Sequence, residues 1–248
     1  MELKVKPAAD TAAAGAAPRH EHHRDVQGGT ARAAVFGVSD GLLTNVSLIL
    51  GVAGAHPVAG VVRLAGLAGL LAGAFSMAAG EYVSVSAQKE LIDREVAIER
   101  EELRRHPESE HRELVALYVS RGVPPAAAEE VATALARDPE VMLEVHTREE
   151  LGVSPGSTGS PVAVAASSFG SFALGALVPL LPWFFVSGGA AVIGSIVLGA
   201  LASVAVGIAV ATFTGRSRTR TVVRQVGIAA VVAALTYGVG TVVGVHTG

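Results

Sequence analysis

The chain has 248 residues, of which 50% are hydrophobic and 17% charged, and its mean hydropathy is +0.49. Soluble domains carry about a quarter charged residues, so the bilayer is the first solvent to consider. A net charge of −3 with a pI near 6.2 gives no support to nucleic-acid binding, which needs a concentrated basic face. With no cysteine in the chain, disulfides, thiolate zinc sites and iron–sulfur clusters are excluded. Any metal must be held by carboxylate, imidazole, thioether or backbone oxygen.

Residues 1–32 read as a cytosolic tail rich in Ala, His and charge. The tail lacks the basic and apolar regions of a cleavable signal peptide, so insertion is expected to begin with the first membrane helix. Its His20-Glu21-His22-His23 run could capture metal, but a disordered, solvated tail is the better explanation.

Five apolar stretches follow, at 33–55, 58–86, 161–181, 187–213 and 222–245. Each is long enough to cross a hydrocarbon layer of about 30 Å, which takes roughly 20 helical residues. Residues 160–213 contain no Asp, Glu, Lys or Arg, whereas 88–150 hold most of the acidic side chains. Only His56-Pro57 separates the first two crossings, so they should form a tight hairpin with Pro57 opening the second helix. The third and fourth should turn through Pro179 and Pro182, and residues 214–221 should join the fourth to the fifth. The fold class expected is therefore all-α, a polytopic membrane protein with five transmembrane helices. Crossings 1 and 2 occupy 33–87, a cytosolic helical domain with its linker 88–160, and crossings 3 to 5 occupy 161–248.

Arg and Lys in short loops are held on the cytoplasmic side. Arg19, Arg24 and Arg32 precede the first crossing, and Arg216, Arg218, Arg220 and Arg224 lie near the start of the fifth. Five crossings with the N-terminus in the cytoplasm place both groups and the charged segment on one side. Within the crossings, Gly37 with Gly41, Gly69 with Gly73, and Gly240 with Gly244 are spaced to let backbones approach, although glycine is common in membrane helices.

In the charged segment, residues 88–106 should continue the second helix into water, with Pro107 ending it. Helices are expected at 108–120, 125–137 and 140–151, divided by the turn signal Arg121-Gly122-Val123-Pro124 and by Asp138-Pro139. The Gly-, Ser- and Pro-rich run 152–160 reads as a linker back to the membrane.

Three sets of residues carry potential chemistry. Asp40 lies in the first crossing, where an ionised side chain costs roughly 2.5–3.5 kcal/mol at the helix centre. It must face a partner or wet cavity inside the bundle, or lie close enough to the interface to stay hydrated. Met77 and Glu81 in the second crossing share a helix face by their spacing, and a thioether beside hard oxygens suits a borderline transition metal. Alternatively, Met77 fills the core and Glu81 snorkels to the interface. In the charged segment, Glu99 and Glu102 repeat as Glu110 and Glu113, one Glu-x-x-Glu pair on each of two consecutive helices. Carboxylates brought together repel unless cations neutralise them, but glutamate-rich surface helices also arise for solvation alone. His146 and Glu150, one turn apart, could complete a cluster.

These motifs together resemble the vacuolar iron transporter (VIT1/CCC1) family, as a bacterial-type member. The resemblance spans residues 32–248. It is carried by Ser39-Asp40-Gly41-Leu42-Leu43-Thr44, by Ser76-Met77-Ala78-Ala79-Gly80-Glu81-Tyr82, and by Ser168-Phe169-Gly170-Ser171-Phe172 followed by Pro179-Leu180-Leu181-Pro182. It implies a homodimer of five-helix protomers that exports Fe²⁺ or Mn²⁺ from the cytosol in exchange for protons, with the path at the dimer interface. By matching position, Asp40, Met77 and Glu81 belong to the path, and Glu99, Glu102, Glu110, Glu113 and Glu150 to the cytosolic metal site. No cofactor is implied beyond the Fe²⁺ or Mn²⁺ carried, and composition leans towards a plasma membrane. Two departures stand out. His146 replaces a methionine one turn before the last glutamate, which makes binding more pH-sensitive, and Gly69 replaces a membrane glutamate two turns before Met77. The rival readings are a membrane-tethered di-iron carboxylate oxidase, although Glu-x-x-His pairs are not evident, and a metal-responsive membrane regulator.

Overall fold

The computed structural model describes residues 29–150, 152 and 159–247, so the His-bearing run at 20–23 and most of the linker lie outside the described residues. Among the described residues there are eight α-helices. They are α1 (Gly29–Gly54), α2 (Ala59–Arg105), α3 (Pro107–Ser120), α4 (Pro125–Leu135), α5 (Pro139–Glu150), α6 (Pro161–Leu180), α7 (Gly189–Thr214) and α8 (Arg218–Thr247). There is no strand among the described residues. Five of these helices, α1, α2, α6, α7 and α8, are long and apolar enough to cross a membrane, and the protein is a polytopic all-α membrane protein.

The hairpin between α1 and α2 turns at His56, which sits at φ +53°. Pro57 bars its predecessor from the right-handed helical region and so enforces the break. Pro57 does not open α2: Val58 is the N-cap, with extended backbone, and the helix begins at Ala59. From there α2 runs 47 residues without a proline, about 70 Å at 1.5 Å per residue. Its first half is apolar, and from Lys89 onward it is charged. At the other end of the bundle, α8 begins at Arg218, four residues before its apolar run, so only 215–217 separate it from α7. Arginine is a good helix former, and helical hydrogen bonding does not stop where lipid does.

In lipid there is no hydrophobic drive to bring helices together, and close packing of small residues replaces it. Helix α1 is the hub, packed against α6, α8, α2 and α7. At Gly41 an added Cβ would collide with the carbonyl of Phe172, and at Gly175 with the carbonyl of Val38. The α1–α6 contact is thus backbone against backbone. On the other side of α1, Gly240 of α8 lies against the backbone of Gly51.

Where α6 meets α7, the chain passes through a 3-10 turn, Leu181–Phe184. The indole Nε1 of Trp183 donates to Ser195 Oγ at 2.9 Å, and that hydroxyl donates to the Pro179 carbonyl at 2.7 Å. All three residues are buried, so the polar atoms satisfy one another away from water.

Beyond the membrane part, α3 to α5 fold back on the charged half of α2. Leu114, Ala132 and Met142 form their core, with Leu103, Val115, Leu117 and Tyr118 packed around it. Two prolines set the breaks: Pro107 starts α3 immediately after His106, and Pro139 starts α5. The Asp138 carboxylate accepts from the Glu140 amide at 3.0 Å, satisfying a first-turn donor.

Gly41→Ala should weaken the α1–α6 contact by about 1–3 kcal/mol, the range for overpacking. Gly170→Ala, at a position where an added Cβ meets nothing within 4 Å, should be neutral. Thermal unfolding of the two purified variants in detergent checks the difference, and equal midpoints would contradict it.

Candidate metal centre

Three helices converge on one point. Glu99 comes from the charged half of α2, Glu110 from the first turn of α3, and His146 with Glu150 from α5, and their ligand atoms all lie within 4.8 Å of one another. Among the described residues this is the one group of acidic and histidine side chains so arranged. Burial of Met142, Leu143 and Thr147 fixes which face of α5 turns inward. The helix is pinned at its edges by Arg100 with Glu140 at 3.2 Å and by Arg121 with Glu149.

His146 stands at the centre with 1% of its surface exposed. Its Nδ1 is 3.1 Å from Glu99 Oε1, 3.1 Å from Glu150 Oε1 and 3.8 Å from Glu110 Oε2. One ring nitrogen cannot satisfy three carboxylates. The hydrogen bond goes to Glu150, and among the described residues neither Glu99 Oε1 nor His146 Nε2 has a hydrogen-bond partner although both are buried. Buried polar atoms left in this state cost free energy, and a divalent cation held by Glu99 Oε1 and by His146 Nδ1, the ring nitrogen that faces the carboxylates, would remove the cost at Glu99. Oxygen and imidazole donors together suit the borderline divalent metals.

Electrostatics point the same way. Burial, reinforced by Glu150, Glu110, Glu102 and Glu113, pushes Glu99 up to about 7. Burial and Glu113 also raise Glu110, while His146 partly offsets the rise. The crowding of carboxylates therefore costs stability when they are ionised without a counter-charge.

The Glu-x-x-Glu pairs do not contribute evenly. Glu102 and Glu113 are exposed and act on the centre through their charge, while Glu99 and Glu110 supply atoms to it. In the membrane part, the Asp40 carboxylate accepts from Thr44 Oγ1 at 3.4 Å and is half-buried. Met77 is packed against Ala74, Phe172 and Ala176, and Glu81 pairs with Arg32 at 3.5 Å. Gly69 faces α1, where an added Cβ would meet the Leu48 side chain and lie 3.1 Å from Asn45 Oδ1. Sequence reasoning does not single out Asn45. It is wholly buried, and its amide donates to the Ala176 carbonyl at 2.6 Å; the available signal is an amide in an apolar span. Gln225 of α8 donates to Ser39 Oγ at 2.7 Å, linking α8 to α1 beside Asp40.

Two outcomes follow from the raised Glu99. Without metal, the folded protein holds this proton more tightly than the unfolded chain does. The contribution to stability is therefore fully present below about 4.5 and lost as pH rises through about 7. A divalent metal bound there must displace the proton, so below pH 7 its affinity should fall by about tenfold per pH unit. Titration calorimetry with Mn²⁺ from pH 8 to pH 6 checks this, and Glu99→Gln should flatten the profile while weakening binding.

Residues 31–241 match the VIT family. The vacuolar iron transporter of Acanthamoeba castellanii is 42% identical over 164 residues, covering 65% of this chain and 59% of that protein. Vacuolar iron transporter 1 of Oryza sativa subsp. japonica is 31% identical over 236 residues, covering 95% of this chain and 94% of its own length. The Arabidopsis thaliana protein of the same name is 30% identical over 227 residues, with 90% and 91% covered. The family match covers most of the chain, and the chain belongs to the vacuolar iron transporter family.

Proposed function

We propose that this protein moves a divalent metal, Fe²⁺ or Mn²⁺, from the cytosol across a bilayer in exchange for protons. The observation that carries the reading is the position of the set Glu99, Glu110, His146 and Glu150, all buried but Glu150, beside the end of a helix whose other half is long and apolar enough to span a membrane. In this reading the set gathers the metal from the cytosol. Asp40, Met77 and Glu81 pass it through the membrane, and protonation of carboxylates on the far side releases it.

The helical register supports a shared route. Eighteen residues make five full turns at 3.6 residues per turn, so Glu81 and Glu99 lie on one face of α2, about 27 Å apart. Met77, one turn earlier, is on nearly the same face. A homodimer with the route between protomers belongs to the proposal. Relatives named iron transporters favour iron as the cargo. The arginine distribution favours a cytoplasmic N-terminus, and the host membrane proposed is the plasma membrane.

The runner-up is a carboxylate-bridged oxidase. Against it, the convergent set holds a single histidine, and Glu-x-x-His pairs on facing helices are replaced by Glu-x-x-Glu.

Proteoliposomes with an imposed pH gradient and radioactive Fe²⁺ or Mn²⁺ provide the test. Wild-type flux is expected, with Asp40→Ala reducing it at least about tenfold, the effect of raising the transport barrier by about 1.4 kcal/mol or more. Glu99→Gln should raise the metal concentration needed for half-maximal flux. Equal flux through wild type and Asp40→Ala would overturn the membrane role, and oxygen consumption on adding Fe²⁺ without flux would favour the oxidase.

A further inference from the structure

The arginines around the α7–α8 turn are not absorbed by metal transport. Arg216, Arg220 and Arg224 line one open cleft of about 800 Å³, together with Thr214, Ser217 and Thr221. Val210 and Val223 supply its apolar walls. Arg32, Arg100, Arg104, Arg105, Arg121 and Arg148 are each paired with a glutamate. Among the described residues, no such pair involves Arg216, Arg220 or Arg224. Retaining a loop on one side of the membrane requires positive charge alone. It does not require three guanidinium groups to share a cleft with two valines.

Helix α8 adds donors at the same place. Its first turn closes with the Thr221 amide donating to the Ser217 carbonyl at 3.1 Å. The amides of Arg218, Thr219 and Arg220 come before that bond and have no acceptor within the helix, as at every helix start. Guanidinium forks and free amides at a helix N-terminus both match phosphate oxygens.

We propose that this cleft binds the phosphate-bearing headgroup of an anionic phospholipid. The phosphate sits among Arg216, Arg220 and Arg224, and the glycerol and first acyl carbons lie along Val210 and Val223. Chain order places the cleft on the same membrane face as the metal-ligand set, because α2 leaves the bilayer there and α7 ends there. Phosphate chemistry could equally come from soluble phosphate, but that ligand has no use for the apolar walls.

The test uses the full-length protein, purified in detergent and examined by native mass spectrometry with phosphatidylglycerol or phosphatidylcholine. Retention of phosphatidylglycerol over phosphatidylcholine is expected. It should fall on the order of 100-fold in the triple variant R216Q/R220Q/R224Q, about fivefold per arginine, and fall less in R216K/R220K/R224K, which keeps the charge but loses the guanidinium forks. An R94Q/R112Q/R137Q variant, which removes exposed arginines elsewhere, should retain lipid as wild type does. Equal retention of both lipids by wild type, or full phosphatidylglycerol retention by the triple glutamine variant, would overturn the proposal. Displacement of the lipid by millimolar inorganic phosphate would overturn the lipid assignment in favour of soluble phosphate. Size-exclusion elution matching wild type confirms that the triple variants are folded. None of these outcomes depends on metal transport.

Discussion

Everything on the metal side of this molecule depends on α2 remaining one uninterrupted helix as it leaves the apolar part of the chain. No glycine or proline occurs between Gly80 and Pro107. The helix therefore transmits rotational phase. Whatever orientation packing against α1 and α6 imposes on Met77 and Glu81, Glu99 inherits it five turns beyond Glu81. A rigid rod of this kind fixes the distance between the carboxylate cage and the membrane residues far better than a flexible linker could.

The bundle itself is organised by proximity more than by apolar attraction. Helix α1 has glycine-mediated approaches on two sides, to α6 through Gly41 and Gly175 and to α8 through Gly240. It also carries Asp40 and Asn45, the costly polar groups. Seating such side chains on the most tightly held helix keeps their positions defined, which matters for any group that must ligate an ion. In the water-exposed domain the balance differs: an apolar core around Leu114 and Met142 brings helices together and forces glutamates close to a buried histidine.

The crossings were legible because a predominantly apolar run of about twenty residues matches the thickness of a bilayer. Proline and glycine positions likewise revealed the breaks at Pro107, Gly122 and Pro139. Two things were not legible. The start of α8 was hidden because hydropathy reports the lipid boundary, and Arg218 and Arg220 are helical outside it. The unequal roles of Glu99 and Glu102, or of Glu110 and Glu113, were hidden because spacing gives two carboxylates the same helix face. Their separation is decided by the angle between α2 and α3, which His106 and Pro107 set. The pairing of His146 with Glu150 was readable from one helical turn, yet the depth of His146 came only from the packing of Met142 and Leu143 beneath it.

The knot of hydrogen bonds among Trp183, Ser195 and the Pro179 carbonyl has a mechanical corollary. It ties α6 to α7 at the end of the bundle remote from the carboxylate cage, and the short His56-Pro57 reversal does the same for α1 and α2. Helices joined that way behave like the arms of tweezers with their spring at the far side. In the transport proposed above, any separation of these paired helices would be largest at the end where the carboxylates lie.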